Sequence, residues 1–232
     1  CAGRTAVVID VLRATTTIIQ AISAGANAVI PCVEIDGAVE TSKRLGPTTL
    51  LAGERGGVKV AGFDLGNSPA EYTSDVVAGR AIVLTTSNGT RAIAAARSAA
   101  HLLIGALVNR AAVAALAVLL ANDVAIVCAG SEDQVGADDE LTGGAIAAEI
   151  ARLVPEVEFD PAAACAVERW RAIVGAKPSA TVNSETLIAA LTDSRGGATL
   201  TALGCQSDIE WCARLDTFAL VPRQDRATGW IR

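Results

Sequence analysis

Asp10 closes the apolar run of residues 7–9 and is followed by Arg13 and by Thr15, Thr16 and Thr17. An acid at a strand tip can ligate Mg²⁺ or accept a phosphoryl group. An arginine and hydroxyls at the next helix start can hold the phosphoryl oxygens. One threonine is accounted for as a helix cap, but the pairing of Asp10 with Arg13 is not. A second polar seam, TTSNGTR, spans residues 85–91. Its Ser87, Asn88, Gly89 and Thr90 form a turn that can aim backbone N–H groups at a phosphate, although a capped tight turn has the same composition. It lacks the Walker lysine, so it is not a nucleotide P-loop. A third seam, CAGSEDQVGADDELTGG, carries Cys128, the pair Glu132 and Asp133, and then Asp138, Asp139 and Glu140 at a helix start. These acids serve either as dipole partners or as oxygen ligands for Mg²⁺. Cys128 is either a core residue or a thiol nucleophile. The fourth, GERGGVKVAGFDLGNSPAEY, brings Glu54 and Arg55, then Asp64, Asn67 and Ser68 in a Gly-rich loop before Pro69. A loop so rich in Gly and charge is either functional or a surface excursion.

The rest of the composition narrows the chemistry. The single histidine, His101, lies in an apolar stretch, so Ser–His–Asp, Cys–His and His-ligated metal chemistry are disfavoured. Acid–base work falls to carboxylates, metal-bound water or a cysteine. The six cysteines form no CxxC pair, which disfavours a zinc site and predicts reduced thiols in a cytoplasmic setting. A net charge of −6 argues against nucleic acid or an anionic membrane as partner. A small anionic phosphate ester needs only a local basic pocket. The apolar run 111–121 is too short to span a bilayer, and no secretory leader pattern is present. The chain opens at Cys1 without any Met, so a preceding segment is expected. The composition leaves room for a homo-oligomer.

These seams need a frame to position them. Apolar β-branched runs at 5–10, 27–33, 49–55, 80–86, 101–109 and 123–130 read as strands. They alternate with Ala-rich helical runs at 15–25, 36–46, 90–99, 110–121 and 139–153. That alternation predicts an α/β protein with a largely parallel sheet, its strands covered on both faces. Residues 155–197 read as more helical and less regular, 203–216 as an amphipathic helix and 217–222 as a last strand. In such sheets function gathers where strand C-termini meet helix N-termini, which is where the seams fall. Carboxylates, Mg²⁺ and the arginines Arg13, Arg55 and Arg91 together suit phosphoryl transfer or hydrolysis.

The segments VVIDVLRATTTI, GERGG, FDLGNSPAEY, TTSNGTRA, CAG…DDELTGG and LGCQSDIEWCARLD resemble, in order, those of the 2-phosphosulfolactate phosphatases, from about residue 7 to residue 222. The resemblance implies a three-layer α/β/α architecture with a largely parallel or mixed sheet and two interlocked subdomains. An N-terminal α/β subdomain, 1–150, would hold most of the seams, with a C-terminal one, 151–232, packed against it. It implies a Mg²⁺-dependent acid phosphatase that hydrolyses 2-phospho-3-sulfolactate to 3-sulfolactate and phosphate, a step of coenzyme M biosynthesis. By this reading Asp10, Glu54 and Asp139 are the metal carboxylates, and Asp10, Asp139 and Cys128 the catalytic candidates. Arg13, Ser87, Asn88, Gly89 and Thr90 hold phosphate, and Arg55 and Arg91 hold the sulfonate or carboxylate. Asp138 stands where the family pattern has Glu. Alternative readings are a phosphatase or phosphotransferase for a different small anionic ester, or a non-catalytic sensor of such a metabolite.

Overall fold

The apolar runs form strands β1 (Thr5–Ile9), β2 (Ala28–Pro31), β3 (Leu50–Arg55), β4 (Val58–Lys59), β5 (Ala81–Thr85), β6 (His101–Gly105) and β7 (Val124–Cys128) in a computed structural model that describes residues 1–130, 134–175 and 183–232. The helices are α1 (Ala14–Ser23), α2 (Ile35–Leu45), α3 (Ser74–Val77), α4 (Gly89–Ala96), α5 (Arg110–Leu119), α6 (Ala137–Leu153), α7 (Pro161–Val174), α8 (Ser184–Thr192), α9 (Arg195–Ala202) and α10 (Gln206–Cys212). The α/β expectation holds. The strands divide between two sheets, one ordered β6-β1-β7 and the other β2-β5-β3-β4. All pairings are parallel except β3 with β4.

The division follows from the connections. α1 leads from β1 in the first sheet to β2 in the second, and α4 leads back from β5 to β6. Both helices therefore lie between the sheets: α1 packs on β6 and β2, and α4 on β1, β7 and β2. Seven of the ten residues of α1 are buried, three of them threonines, as a helix covered on both sides requires. α5 and α6 cover the outer face of the first sheet, whereas α2 covers the second and buries only Ala38. Alternation along β2 and β5 matches this layering. Val29, Ile82 and Leu84 face the main core, while Ala28, Ile30 and Val83 form a small cluster with Ala38.

Close approach explains the TGG of the third seam. A Cβ on Gly144 would come 2.1 Å from the Ala166 carbonyl oxygen of α7, and one on Gly143 would come 3.0 Å from Ile126 of β7. The two glycines let α6 sit tightly between the sheet and α7. The expected strand at 217–222 is not a regular strand. The chain runs beside β6, where Ile104 N–H donates to Pro222 O (2.9 Å) and Gln224 N–H to Leu102 O (2.9 Å) around the single bridge Leu103–Arg223. Pro222 has no N–H to extend the ladder. Ile231 pairs with Val29 and covers the edge of β2. No described helix is long and apolar enough to cross a membrane.

Candidate functional site

Because both crossover helices start at strand ends and run between the sheets, their N-termini meet. Asp10 lies at that meeting point. Its Oδ1 accepts from Ala14 N–H in the first turn of α1 at 3.4 Å, and Gly89 N–H at the start of α4 serves the same carboxylate. A Cβ at Gly89 would lie 2.7 Å from Asp10 Oδ2 and 2.6 Å from Ala14 Cβ, so only glycine fits there. Burial pushes the Asp10 carboxyl up from 3.8 to about 7, and the charges of Glu54 and Asp138 add to this against the Ala14 and Gly89 hydrogen bonds. Two helix dipoles favour the anion, yet desolvation and like charge outweigh them.

The surrounding acids divide by what they hold. Glu54, at the end of β3, braces the second seam. Its Oε1 accepts from Ser87 N–H (2.7 Å), and its Oε2 accepts from Gly57 N–H (2.6 Å) and Ser87 Oγ (3.2 Å). Asp139, in the first turn of α6, braces two loops: Val11 N–H donates to Oδ1 (2.9 Å) and Gly130 N–H to Oδ2 (3.0 Å). Its carboxyl is held well above the usual range by burial, then by the charges of Asp10 and Asp138. Asp138 is buried beside it and is also raised by burial. Its Oδ2 sits against Gly196 at the start of α9, where a Cβ would approach to 2.8 Å. Among the described residues, no three His, Cys, Asp or Glu side chains are grouped so as to hold a metal ion by themselves. Glu132 and Asp133 lie outside the described residues.

The hydroxyls are engaged locally. Thr15, Thr16 and Thr17 donate to the carbonyls of Asp10, Val11 and Asn67. Within the second seam Thr86 and Thr90 bond each other's backbone N–H, and Ser87 N–H goes to Glu54. The turn is therefore a braced support for Gly89 and Asp10. Asn88, Arg91, Cys128, Gly130 and Gln134 line an adjoining cleft of about 430 Å³, with Arg91 exposed. Burial pushes the Cys128 thiol up to about 12, helped by the charges of Asp139, Glu140 and Asp138. A thiol so placed is protonated at neutral pH, which opposes nucleophilic use.

Two of the three arginines turn away from solvent. Arg13 Nη1 pairs with Asp208 Oδ2 at 2.6 Å, both side chains being buried, and Arg13 Nη2 donates to Gly57 O at 2.8 Å. Asp208 Oδ1 accepts from Ser68 Oγ at 2.6 Å. Arg55 donates to the carbonyls of Glu54 and Val33 and to Thr85 Oγ1. The structure thus brings together Asp10, Glu54, Asp139 and the turn of Ser87, Asn88, Gly89 and Thr90. Cys128 and Arg91 lie in the next cleft, and Arg55 is bound to strand ends. Asp208 escapes a reading of spacing, since it is an ordinary polar residue of α10 until the fold carries it to Arg13 across 195 positions.

Acids at the carboxyl ends of parallel strands, beside helix N-termini, define a class of α/β protein that handles small anionic molecules. The sequence profile of 2-phosphosulpholactate phosphatase matches residues 1–227, and the chain belongs to that family. It is 42% identical over 219 residues to a protein of Deinococcus radiodurans, covering 94% of this chain and 86% of that one. It is 41% identical over 223 residues to one of Symbiobacterium thermophilum, covering 95% and 91%. It is 36% identical over 221 residues to one of Clostridium acetobutylicum, covering 95% and 89%. Each of the three is named "Probable 2-phosphosulfolactate phosphatase".

Proposed function

We propose that the protein is a Mg²⁺-dependent phosphoric monoester hydrolase that converts 2-phospho-3-sulfolactate to 3-sulfolactate and phosphate, in the manner of coenzyme M biosynthesis, in the cytoplasm. Family membership supports the substrate class. The six unpaired cysteines are consistent with a reducing compartment.

The observation that carries the reading is the placement of Asp10 where the starts of α1 and α4 converge, in the field of Glu54, Asp138 and Asp139. Arg13, three residues on, already uses its charge on Asp208. The excess of carboxylate suits a hard dication, which usually binds through one or two carboxylates, several waters and the substrate phosphate. Asp10 and Asp138 would hold it. Glu54 and Asp139, whose oxygens already accept N–H groups, would fix the loops that orient them. Bound Mg²⁺ would neutralise charge on the phosphoryl oxygens. Asp10 meets the phosphoryl group at the start of α4, and Arg91 offers a guanidinium from the adjoining cleft.

The test measures phosphate release from 2-phospho-3-sulfolactate and from phospholactate, with Mg²⁺ or with EDTA. We expect Mg²⁺-dependent release with a preference for the sulfonated ester. Asp10→Asn should lower kcat by at least ~10³-fold, in keeping with removal of a group that acts only on the transition state, while circular dichroism stays native. Full activity in Asp10→Asn would remove Asp10 from the chemistry. Acid-quench trapping of a phosphoaspartate separates use of Asp10 as nucleophile from positioning of water.

A further inference from the structure

Two buried side-chain polar atoms lack a hydrogen-bond partner among the described residues, Thr5 Oγ1 and Asn67 Oδ1. Thr5 is at the opening end of β1, far along the strand from Asp10. Asn67 is different. It is only 5% exposed, its own carbonyl is fixed by Thr17 Oγ1 at 2.9 Å, and it lines a cleft of about 270 Å³ with Arg13, Gly57, Lys59 and Ser68, rimmed by Leu203. A buried amide oxygen without a partner is costly and calls for a ligand or an ordered water. A half-turn of the amide exchanges acceptor for donor, so the position serves a ligand hydroxyl or an oxyanion equally well.

The cleft is next to the Asp10 centre. Gly57, on its wall, and Ser87, in the turn beside Asp10, are bonded to opposite oxygens of the one Glu54 carboxylate, at 2.6 and 2.7 Å. Arg13 also borders the cleft. Its bonds to Asp208 and to Gly57 O use two of the five N–H groups of a guanidinium. Lys59 adds a second cation, held among the described residues by a long 3.4 Å contact to Asp64 O. The one carboxylate on the wall, Glu71, accepts from Gly66 N–H at 2.9 Å.

We propose that this cleft is the second half of the substrate site, taking the acid end of the ester, and that Asn67 is a substrate-contacting residue there, with Lys59 supplying charge and Arg13 its remaining N–H donors. The inference rests on the phosphatase reading above. It moves recognition of the sulfonate or carboxylate away from Arg55, whose guanidinium is bound to the Glu54 and Val33 carbonyls and to Thr85 Oγ1, to the loop carrying FDLGNSP.

The experiment measures binding of three probes, 3-sulfolactate, lactate and inorganic phosphate, by calorimetry on the wild type, Asn67→Ala and Lys59→Met. Melting temperatures of the same proteins are recorded alongside. In Asn67→Ala we expect 3-sulfolactate to weaken about tenfold, as for one lost hydrogen bond to an anion. Inorganic phosphate should stay within about twofold, and the melting temperature should not fall, because an unpartnered buried group has been removed. Lys59→Met, an exposed change, should weaken 3-sulfolactate without touching phosphate. Loss of the 3-sulfolactate preference over lactate assigns the contact to the sulfonate, and equal weakening of both assigns it to the carboxylate. Unchanged 3-sulfolactate affinity in Asn67→Ala, or a parallel loss for phosphate, overturns the proposal. A wild type that binds 3-sulfolactate through Asn67 yet hydrolyses no phosphosulfolactate would overturn the phosphatase reading alone.

Discussion

Replacing Asp10 by Asn should stabilise the metal-free protein while removing its activity, and the size of the gain can be worked out. Asp10 is ordinarily half ionised at 3.8 and is pushed up to about 7 in the fold, chiefly by burial. The sign follows from proton uptake. Between those values the unfolded chain has lost the proton and the folded chain keeps it, so stability falls as pH rises through this window. Below pH 3.8 there is no penalty, and above 7 it is complete. The full displacement corresponds to about 4 kcal/mol. Asp10 as a residue is only partly buried, and screening by solvent reduces this to a working figure of about 2 kcal/mol at pH 8.

Asn keeps an oxygen for the Ala14 and Gly89 N–H groups and drops the charge. For a chain of 232 residues, 2 kcal/mol corresponds to a melting-temperature rise of about 4–8 °C. At pH 5 the native carboxyl is already protonated, and somewhat over a third of the gain remains. Differential scanning calorimetry in EDTA at pH 5 and pH 8 measures both differences. Mg²⁺ added at pH 8 should raise the wild type and leave Asp10→Asn unmoved. A gain independent of pH, or a loss of stability at pH 8, would refute the argument that buried charge at Asp10 is what the fold tolerates.

Three further outcomes test the supports around Asp10. Gly89→Ala places a methyl 2.7 Å from Asp10 Oδ2 and 2.6 Å from Ala14 Cβ; overpacking should cost about 1–3 kcal/mol and displace the carboxylate, lowering kcat more than it raises KM. Glu54→Gln turns an amide N–H toward either Gly57 or Ser87, leaving a buried donor unpaired at about 1–3 kcal/mol; amide exchange should quicken at both residues and leave β6 unaffected. Cys128→Ala should retain activity within a few-fold, and alkylation of Cys128 by iodoacetamide at pH 8 should be slow, because the thiol is pushed up to about 12; rapid alkylation with loss of activity would restore the thiol as a nucleophile.

The elements were legible because strands buried on both faces write themselves as unbroken apolar runs, and the seams were legible because polar residues at strand ends interrupt those runs. The partition into two sheets was not. β1 and β5 carry the same signal, and nothing local in the residues of α1 states that it crosses to another sheet. Its threonines came closest, since three buried hydroxyls inside a helix need backbone partners, which they find in Asp10, Val11 and Asn67. The arginines were the least legible. Arg13 and Arg55 read as anion ligands by type and neighbourhood, whereas their geometry shows them bound to Asp208 and to strand-end carbonyls. A guanidinium's partner is set by long-range packing, and its spacing to the next acid in sequence carries no record of it.

The two-sheet layout also explains why the charge is concentrated. A helix that leaves one parallel sheet for another starts at a strand's carboxyl end and dives between the layers. With two such helices, α1 leading from the first sheet to the second and α4 leading back, both positive ends open into one crevice. Carboxylates from β1, β3 and α6 reach that crevice because each of these elements also ends or begins there. Dipoles and N–H donors make the crevice tolerable for anions, but burial leaves it under-neutralised, as the raised Asp10, Asp138 and Asp139 show. A site in that condition gains stability from whatever completes its charge. By mass action, a cation or ligand at a hundred times its dissociation constant adds about 2.7 kcal/mol. That is comparable to the ~2 kcal/mol held in Asp10 alone, so the energy that buried charge withholds from the fold is of the size needed to favour a bound cation.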